Sequence, residues 1–231
     1  MLCHLLEDAR SDKEARDNAE KVFNSIIDNL ETKKTASYRP IKDGQAYVLD
    51  SVVLSMPSDV PSFKLVLREP LAHMGAKVSA GYSGKQRAIH VMMDLDTDWV
   101  SQLKATKSAI IHELIHHFDY VRSNGNIKDS SGKPIKQYYN DSSEVNAYYQ
   151  EAMHEFEKLY SRIYANNPTA FQVLAKKLKN FDGFLALVKA SADANFVQNW
   201  TPETEKKFIK RVSGYYNDIL LDDLAEKIRE H

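Results

Sequence analysis

TKSAIIHELIHHFDY, running from Thr106 to Tyr120, contains the pattern His112-Glu113-Leu114-Ile115-His116. Two histidines four residues apart lie one above the other on a helix, so both imidazoles can reach a single ion. Glu113 points to the same side, where it could deprotonate a metal-bound water. At about 100° per residue, Ile110, Ile111, Leu114, Ile115, Phe118 and Val121 share one arc of that helix. His112, Glu113, His116 and Asp119 occupy the rest. The apolar arc is expected to face a core and the histidine arc a cleft, with Ser108 or Thr106 capping the first turn. A surface helix carrying histidines by coincidence is the bland alternative, and it has no need of this placement.

Upstream, Leu5, Leu6, Ala9, Ala15, Ala19, Val22, Phe23, Ile26, Ile27 and Leu30 recur at helical spacing, which predicts a packing helix over residues 5–34. Tyr38-Arg39-Pro40 and Asp43-Gly44 mark a loop. From 46 to 95 the pattern shifts to short strands: AYVLDSVVLSM, FKLVLRE, AKVSAGY and RAIHVMMDL. Pro57, Pro61, Pro70 and Tyr82-Ser83-Gly84-Lys85 separate them, the last as a hairpin turn. Lys77 to Tyr82 is the candidate edge strand, to which an extended peptide could add by backbone hydrogen bonding. His90, alone in its strand, is read as a packed side chain. Gly75, Gly81 and Gly84-Lys85 lack phosphate-loop spacing.

Downstream, RSNGNIKDSSGKPIKQYYND reads as a long polar loop, and loops of this length are often functional. Helical patterns follow in SSEVNAYYQEAMHEFEKLYSRIY, PTAFQVLAKKL, GFLALVKAS and the charged run from Pro202 to Arg229. A catalytic zinc needs a third protein ligand and an open position. Asp119, Glu144, Glu151, His154 and Glu155 are available. Glu144, 28 positions after His116, opens a new helix behind Asp141-Ser142-Ser143 and is the chosen ligand. Asp119, one turn past His116, suits a hydrogen bond to a ligand imidazole. Glu151, two turns beyond Glu144 on the same face, is a ligand or a support. Tyr138 and Tyr139, in the loop before Glu144, could donate to a tetrahedral oxyanion. His117 is expected to be exposed, and Tyr148 and Tyr149 to line core or cleft.

Composition narrows the class. The 231 residues are 43% hydrophobic and 27% charged, with net charge −1, enough chain for a real core. Near-neutral charge gives no electrostatic reason to expect nucleic acid or an anionic membrane surface. The single cysteine, Cys3, rules out an internal disulfide and any cysteine-based zinc cluster. MLCHLLEDAR lacks a basic n-region and a long apolar run, and no segment reaches membrane-spanning length. The expected setting is cytoplasmic, although secretion by a signal-free route would leave the same record.

HELIHHFDYVR followed by SSEVNAYYQEAMHEF resembles a gluzincin-type zinc metallopeptidase. His-Glu-x-x-His-x-x-Asp, then a glutamate in an alanine- and aromatic-rich helix, is similar to the anthrax lethal factor catalytic domain and the Pro-Pro endopeptidases. Those relatives carry a tyrosine shortly before the ligand glutamate, which supports the role given to Tyr138 or Tyr139. Ser143-Glu144-Val145-Asn146-Ala147 also resembles the mitochondrial ATP-synthase-assembly peptidases. The resemblance covers roughly Ile110 to Phe156. It departs from thermolysin, which has an aspartate where this chain has Tyr148, and it lacks the mitochondrial peptidases' cysteines.

The expectation is an α+β, zincin-like fold: a small mixed sheet packed on the active-site helix, with a mostly helical C-terminal half. Residues 1–44 form an N-terminal helical segment, 45–165 the catalytic core and 166–231 a C-terminal helical subdomain. The expected activity is zinc metalloendopeptidase hydrolysis of a protein or peptide substrate. His112, His116 and Glu144 hold Zn²⁺, and Glu113 is the general base. Two other readings compete: a catalytically silent zincin-like binding module, and a DNA-associated peptidase, which the lack of a basic patch weakens.

Overall fold

The computed structural model describes residues 2–32, 39–40, 46–50, 61–69, 79–125 and 133–230. The chain is α+β, mostly helical with a small mixed sheet. It divides into two compact units, Asp17–Asp129 and the pair Met1–Arg16 with Ser130–His231. Among the described residues, no helix is long and apolar enough to cross a membrane.

Asp17–Asp129 holds the sheet and the His-Glu-x-x-His helix. The first helix, α1 (Leu2–Thr32), contributes its later turns, with Ala19, Val22, Phe23, Ile26, Ile27 and Leu30 buried at helical spacing. The strands are β1 (Arg39–Pro40), β2 (Ala46–Asp50), β3 (Lys64–Arg68), β4 (Ser79–Ser83) and β5 (Ala88–Met92). β1 spans only two residues, where the sequence suggested a loop, so four longer strands make most of the sheet. A proline is tolerated there because β1 is an edge. Residues 51–56 and 76–78 of the strands read from sequence lie outside the described residues.

The strand order is β1-β2-β3-β5-β4. β3 and β5 run parallel, with Leu65 opposite Ile89 and Leu67 opposite Val91, and every other pairing is antiparallel. β3 buries Leu65, Val66 and Leu67 in succession. Such a continuous apolar run suits an inner strand covered on both faces. The chain leaves β3, forms the edge strand β4, and returns between them as β5. The β4–β5 hairpin turn falls at 84–87, with Arg87 at φ 48°; the hairpin is where the sequence suggests it, but Tyr82 and Ser83 belong to β4 and the turn lies further along.

Two helices follow the sheet. Asp98 caps α2 (Trp99–Ala105) by accepting from the Val100 amide. Thr106 precedes α3 (Lys107–Arg122) but does not cap it through its side chain, because its hydroxyl donates to the Gln102 carbonyl and closes α2 instead. Of the predicted apolar arc, α3 buries Ile110, Ile111, Leu114 and Ile115, while Phe118 and Val121 are half-buried. It ends on Gly125, φ 81°, whose amide donates to the Tyr120 carbonyl at 2.8 Å.

The other unit is helical. The polar stretch before Glu144 contains a short helix, α4 (Ile135–Tyr139), that periodicity did not reveal. Next come α5 (Ser142–Asn166), α6 (Pro168–Leu178), α7 (Phe181–Ser191) and α8 (Ala194–Gln198). The last, α9 (Pro202–Tyr215), runs through a π-helical turn, Tyr216–Leu220, into α10 (Leu221–Arg229). Asp141, Asn167, Asn180, Asp193 and Thr201 each accept from an amide one turn inside the helix that follows, so α5 to α9 all begin on a side-chain cap. The core is aromatic, built around Phe156, Phe171, Phe184, Phe196 and Phe208. A buried polar set joins the middle of α1 to α5 and α9. Arg16 donates to Gln150 at 2.6 Å and to Glu157 at 2.9 Å, and the Tyr215 hydroxyl donates to Glu157 at 2.7 Å.

Candidate metal centre

α3 carries His112 and His116 one turn apart, and both are buried, at 5% and 9% exposure. Their rings meet edge to face with centroids 4.9 Å apart, and the two Nε2 atoms are 3.1 Å from each other. Ligand atoms around a tetrahedral zinc with bonds near 2.0–2.1 Å are about 3.4 Å apart. The imidazole pair therefore stands close to ligand spacing. Glu113, between them in sequence, is half-buried on the same helix, and so is Asp119.

Glu144 is the third residue of α5 and is 3% exposed. Asp141 fixes the start of that helix by accepting from the Ser143 amide and hydroxyl, while Lys133 pairs with Asp141. Desolvation raises the Asp141 carboxyl, but the bonds from Lys133 and Ser143 outweigh it and hold the group below its ordinary range. A carboxylate in the first turn, as Glu144 is, is favoured by the positive end of the helix dipole.

His112, His116 and Glu144 form a buried group in which one ligand atom from each lies within 4.8 Å of the others. Two imidazoles and a carboxylate are the donor set of a catalytic zinc, so the residues fit that ion. Asp119, Glu151, His154 and Glu155 do not enter this group.

The two tyrosines before Glu144 are on α4, not in a loop. Tyr139 is buried and Tyr138 half-buried. Their rings touch at 5.2 Å, and Tyr139 packs on Tyr148 at 5.4 Å. Tyr148 stacks on Phe196 at 4.6 Å, so that Tyr138, Tyr139, Tyr148 and Phe196 form a chain of touching rings. Burial first, then the neighbouring tyrosines and Glu144, push the Tyr148 phenol far above its ordinary range. Tyr148, read from sequence only as lining, is thus the hub of this cluster. Its spacing of one helical turn from Glu144 was the available signal.

His117 corrects an expectation. Its place on the border of the polar arc predicts exposure, yet it is fully buried, its Nε2 3.1 Å from the Pro61 carbonyl and its Nδ1 3.0 Å from the Tyr82 hydroxyl. His90 is half-buried on β5, as a packed strand histidine should be.

No family model, curated protein or solved structure matches this chain.

Proposed function

We propose that the chain is a zinc-dependent metallopeptidase, with His112, His116 and Glu144 as metal ligands. The observation that carries this reading is the buried His-His-Glu group, its ligand atoms within 4.8 Å of one another, in which α3 supplies both histidines at His-Glu-x-x-His spacing and α5 supplies the glutamate. When bound, Zn²⁺ supplies Lewis acidity and lowers the pKa of water towards neutrality. Glu113, half-buried beside both histidines, takes the proton of the attacking water as the oxygen joins the scissile carbonyl carbon. It then gives that proton to the leaving amine as the C–N bond breaks. The substrate is an extended peptide lying along β4, which packs on α3 and, among the described residues, pairs only with β5. Tyr138, Tyr139 and Tyr148, whose rings pack together, are the candidate oxyanion donors.

Hydrolysis of a broad set of unstructured peptides by wild type and Glu113→Gln tests the reading. The expected result is cleavage by wild type and a loss of roughly 10²–10⁴-fold in the variant, with zinc retained. Zinc binding without hydrolysis by wild type would contradict it and leave a silent binding module.

A further inference from the structure

We propose that His117 is a positioning residue that fixes the height of the edge strand β4 along α3, and thereby the register in which a peptide on β4 meets Glu113. The proposal rests on the peptidase reading. Its foundation is how the ring is held. The Pro61 carbonyl can only accept, so the His117 Nε2 facing it at 3.1 Å carries the hydrogen. The Nδ1 atom is then an acceptor, and the Tyr82 hydroxyl donates to it at 3.0 Å. Both ring nitrogens are satisfied in a fully buried, neutral imidazole with one tautomer.

Those two bonds connect three pieces of chain: the helix bearing His112 and His116, the segment entering β3, and β4. Tyr82 and Ala80 alternate with Gly81 and Ser83, so Tyr82 is directed at α3 and Gly81 away from it. A second tie lies one residue beyond the strand. The Tyr120 ring, on the turn of α3 after His117, fits so tightly against Gly84 that a Cβ there would meet its Cε2 at 2.7 Å. Tyr82 also meets the Tyr120 ring edge-on at 6.0 Å. β4 is therefore pinned to α3 at two successive points on one flank.

Among the described residues, a Cβ on Gly81 would touch nothing within 4 Å on the other flank, and its φ is outside the left-handed region. Neither packing against those residues nor backbone conformation requires glycine there. A glycine inside a strand often marks a place where another chain approaches closely. A peptide hydrogen-bonded to β4 inherits the position of β4. A slip of two residues moves it about 6.6 Å, and a displacement near 1 Å can cost roughly 10²-fold in rate.

The test compares His117→Leu, His117→Gln and Tyr82→Phe in the full chain. Glutamine can offer one N–H and one acceptor, as the neutral imidazole does; leucine offers neither. The expected result is that His117→Leu keeps its zinc but loses kcat by about ten-fold or more, with cleavage scattered over neighbouring bonds of a peptide that wild type cuts at one. His117→Gln should restore kcat and cleavage position, and Tyr82→Phe should show a smaller loss of the same kind. Wild-type kcat and cleavage position in both His117→Leu and Tyr82→Phe would overturn the proposal. Amide hydrogen exchange over residues 79–83 separates it from the peptidase reading. If wild type cleaves nothing, the peptidase reading fails. Exchange about ten-fold faster in His117→Leu and Tyr82→Phe, and restored in His117→Gln, then still supports the anchoring of β4; unchanged exchange overturns it.

Discussion

Arg16 and Glu157, 141 positions apart, form an ion pair at 2.9 Å in which the guanidinium is 1% exposed and the carboxylate side chain 21%. Burial disfavours the charge on Arg16, but Glu157, with smaller contributions from Tyr149 and Tyr215, more than compensates, so the group stays protonated. Removing one partner of a buried pair leaves the other charge without compensation. Arg16→Ala is expected to destabilise the protein by about 3–5 kcal/mol, measured by urea unfolding. An Arg16→Met, Glu157→Leu double variant should cost much less than either charge deletion alone. A double-variant cost equal to the sum of the two single-variant costs would show that the pair is not coupled.

Two glycines should respond in opposite ways to the same substitution. A Cβ on Gly183, in the first turn of α7, would sit 2.5 Å from the Lys177 carbonyl oxygen at the end of α6. Backbone cannot yield there as a flexible side chain would, so Gly183→Ala should cost about 1–3 kcal/mol, as overpacking does. Gly81→Ala meets nothing within 4 Å among the described residues and should be neutral or stabilise by about 0.5 kcal/mol. Thermal unfolding of the two variants checks both signs. Comparable losses would mean that Gly81 is required by the fold.

Much of this architecture could be read from local pattern, because local pattern is what secures it. The apolar arc of α3, the Asp141-Ser142-Ser143 start of α5 and the Tyr-Ser-Gly-Lys turn between β4 and β5 each involve neighbours in sequence. The insertion of β5 between β3 and β4 does not, since strand order is set by long-range pairing. α4 and α8, five residues each, are too short to show a period. Arg16 stands among charged residues in sequence, and its burial depends on Gln150 and Glu157, more than 130 positions away. His117 was misread for the same reason, because Pro61 and Tyr82 come from other parts of the chain to cover it. Glu144 could be named because a helix start and its spacing from His116 are local, whereas the ring cluster centred on Tyr148 is tertiary.

His90 gives a pH dependence with a defined sign. Burial, then the neighbouring Arg68 charge, holds its imidazole below the usual histidine range. A histidine with a depressed folded pKa binds fewer protons in the folded state than in the unfolded one. Its stabilising contribution is fully present above about pH 6.5 and is lost as pH falls through the lowered folded value. Urea midpoints at pH 7.5 and 5.5 should therefore drop more in wild type than in His90→Gln. An identical drop in both would assign the effect to other groups.

Zinc content measured by elemental analysis, on purified wild type and on separate His116→Ala and Glu144→Ala variants, addresses the metal centre most directly. About one zinc per wild-type chain is expected, lost or greatly weakened in both variants, because removing either donor leaves two protein ligands where a catalytic site uses three. Zinc retained in Glu144→Ala alone would transfer the third position to another carboxylate. No zinc in wild type, even after reconstitution, would contradict the metallopeptidase reading outright.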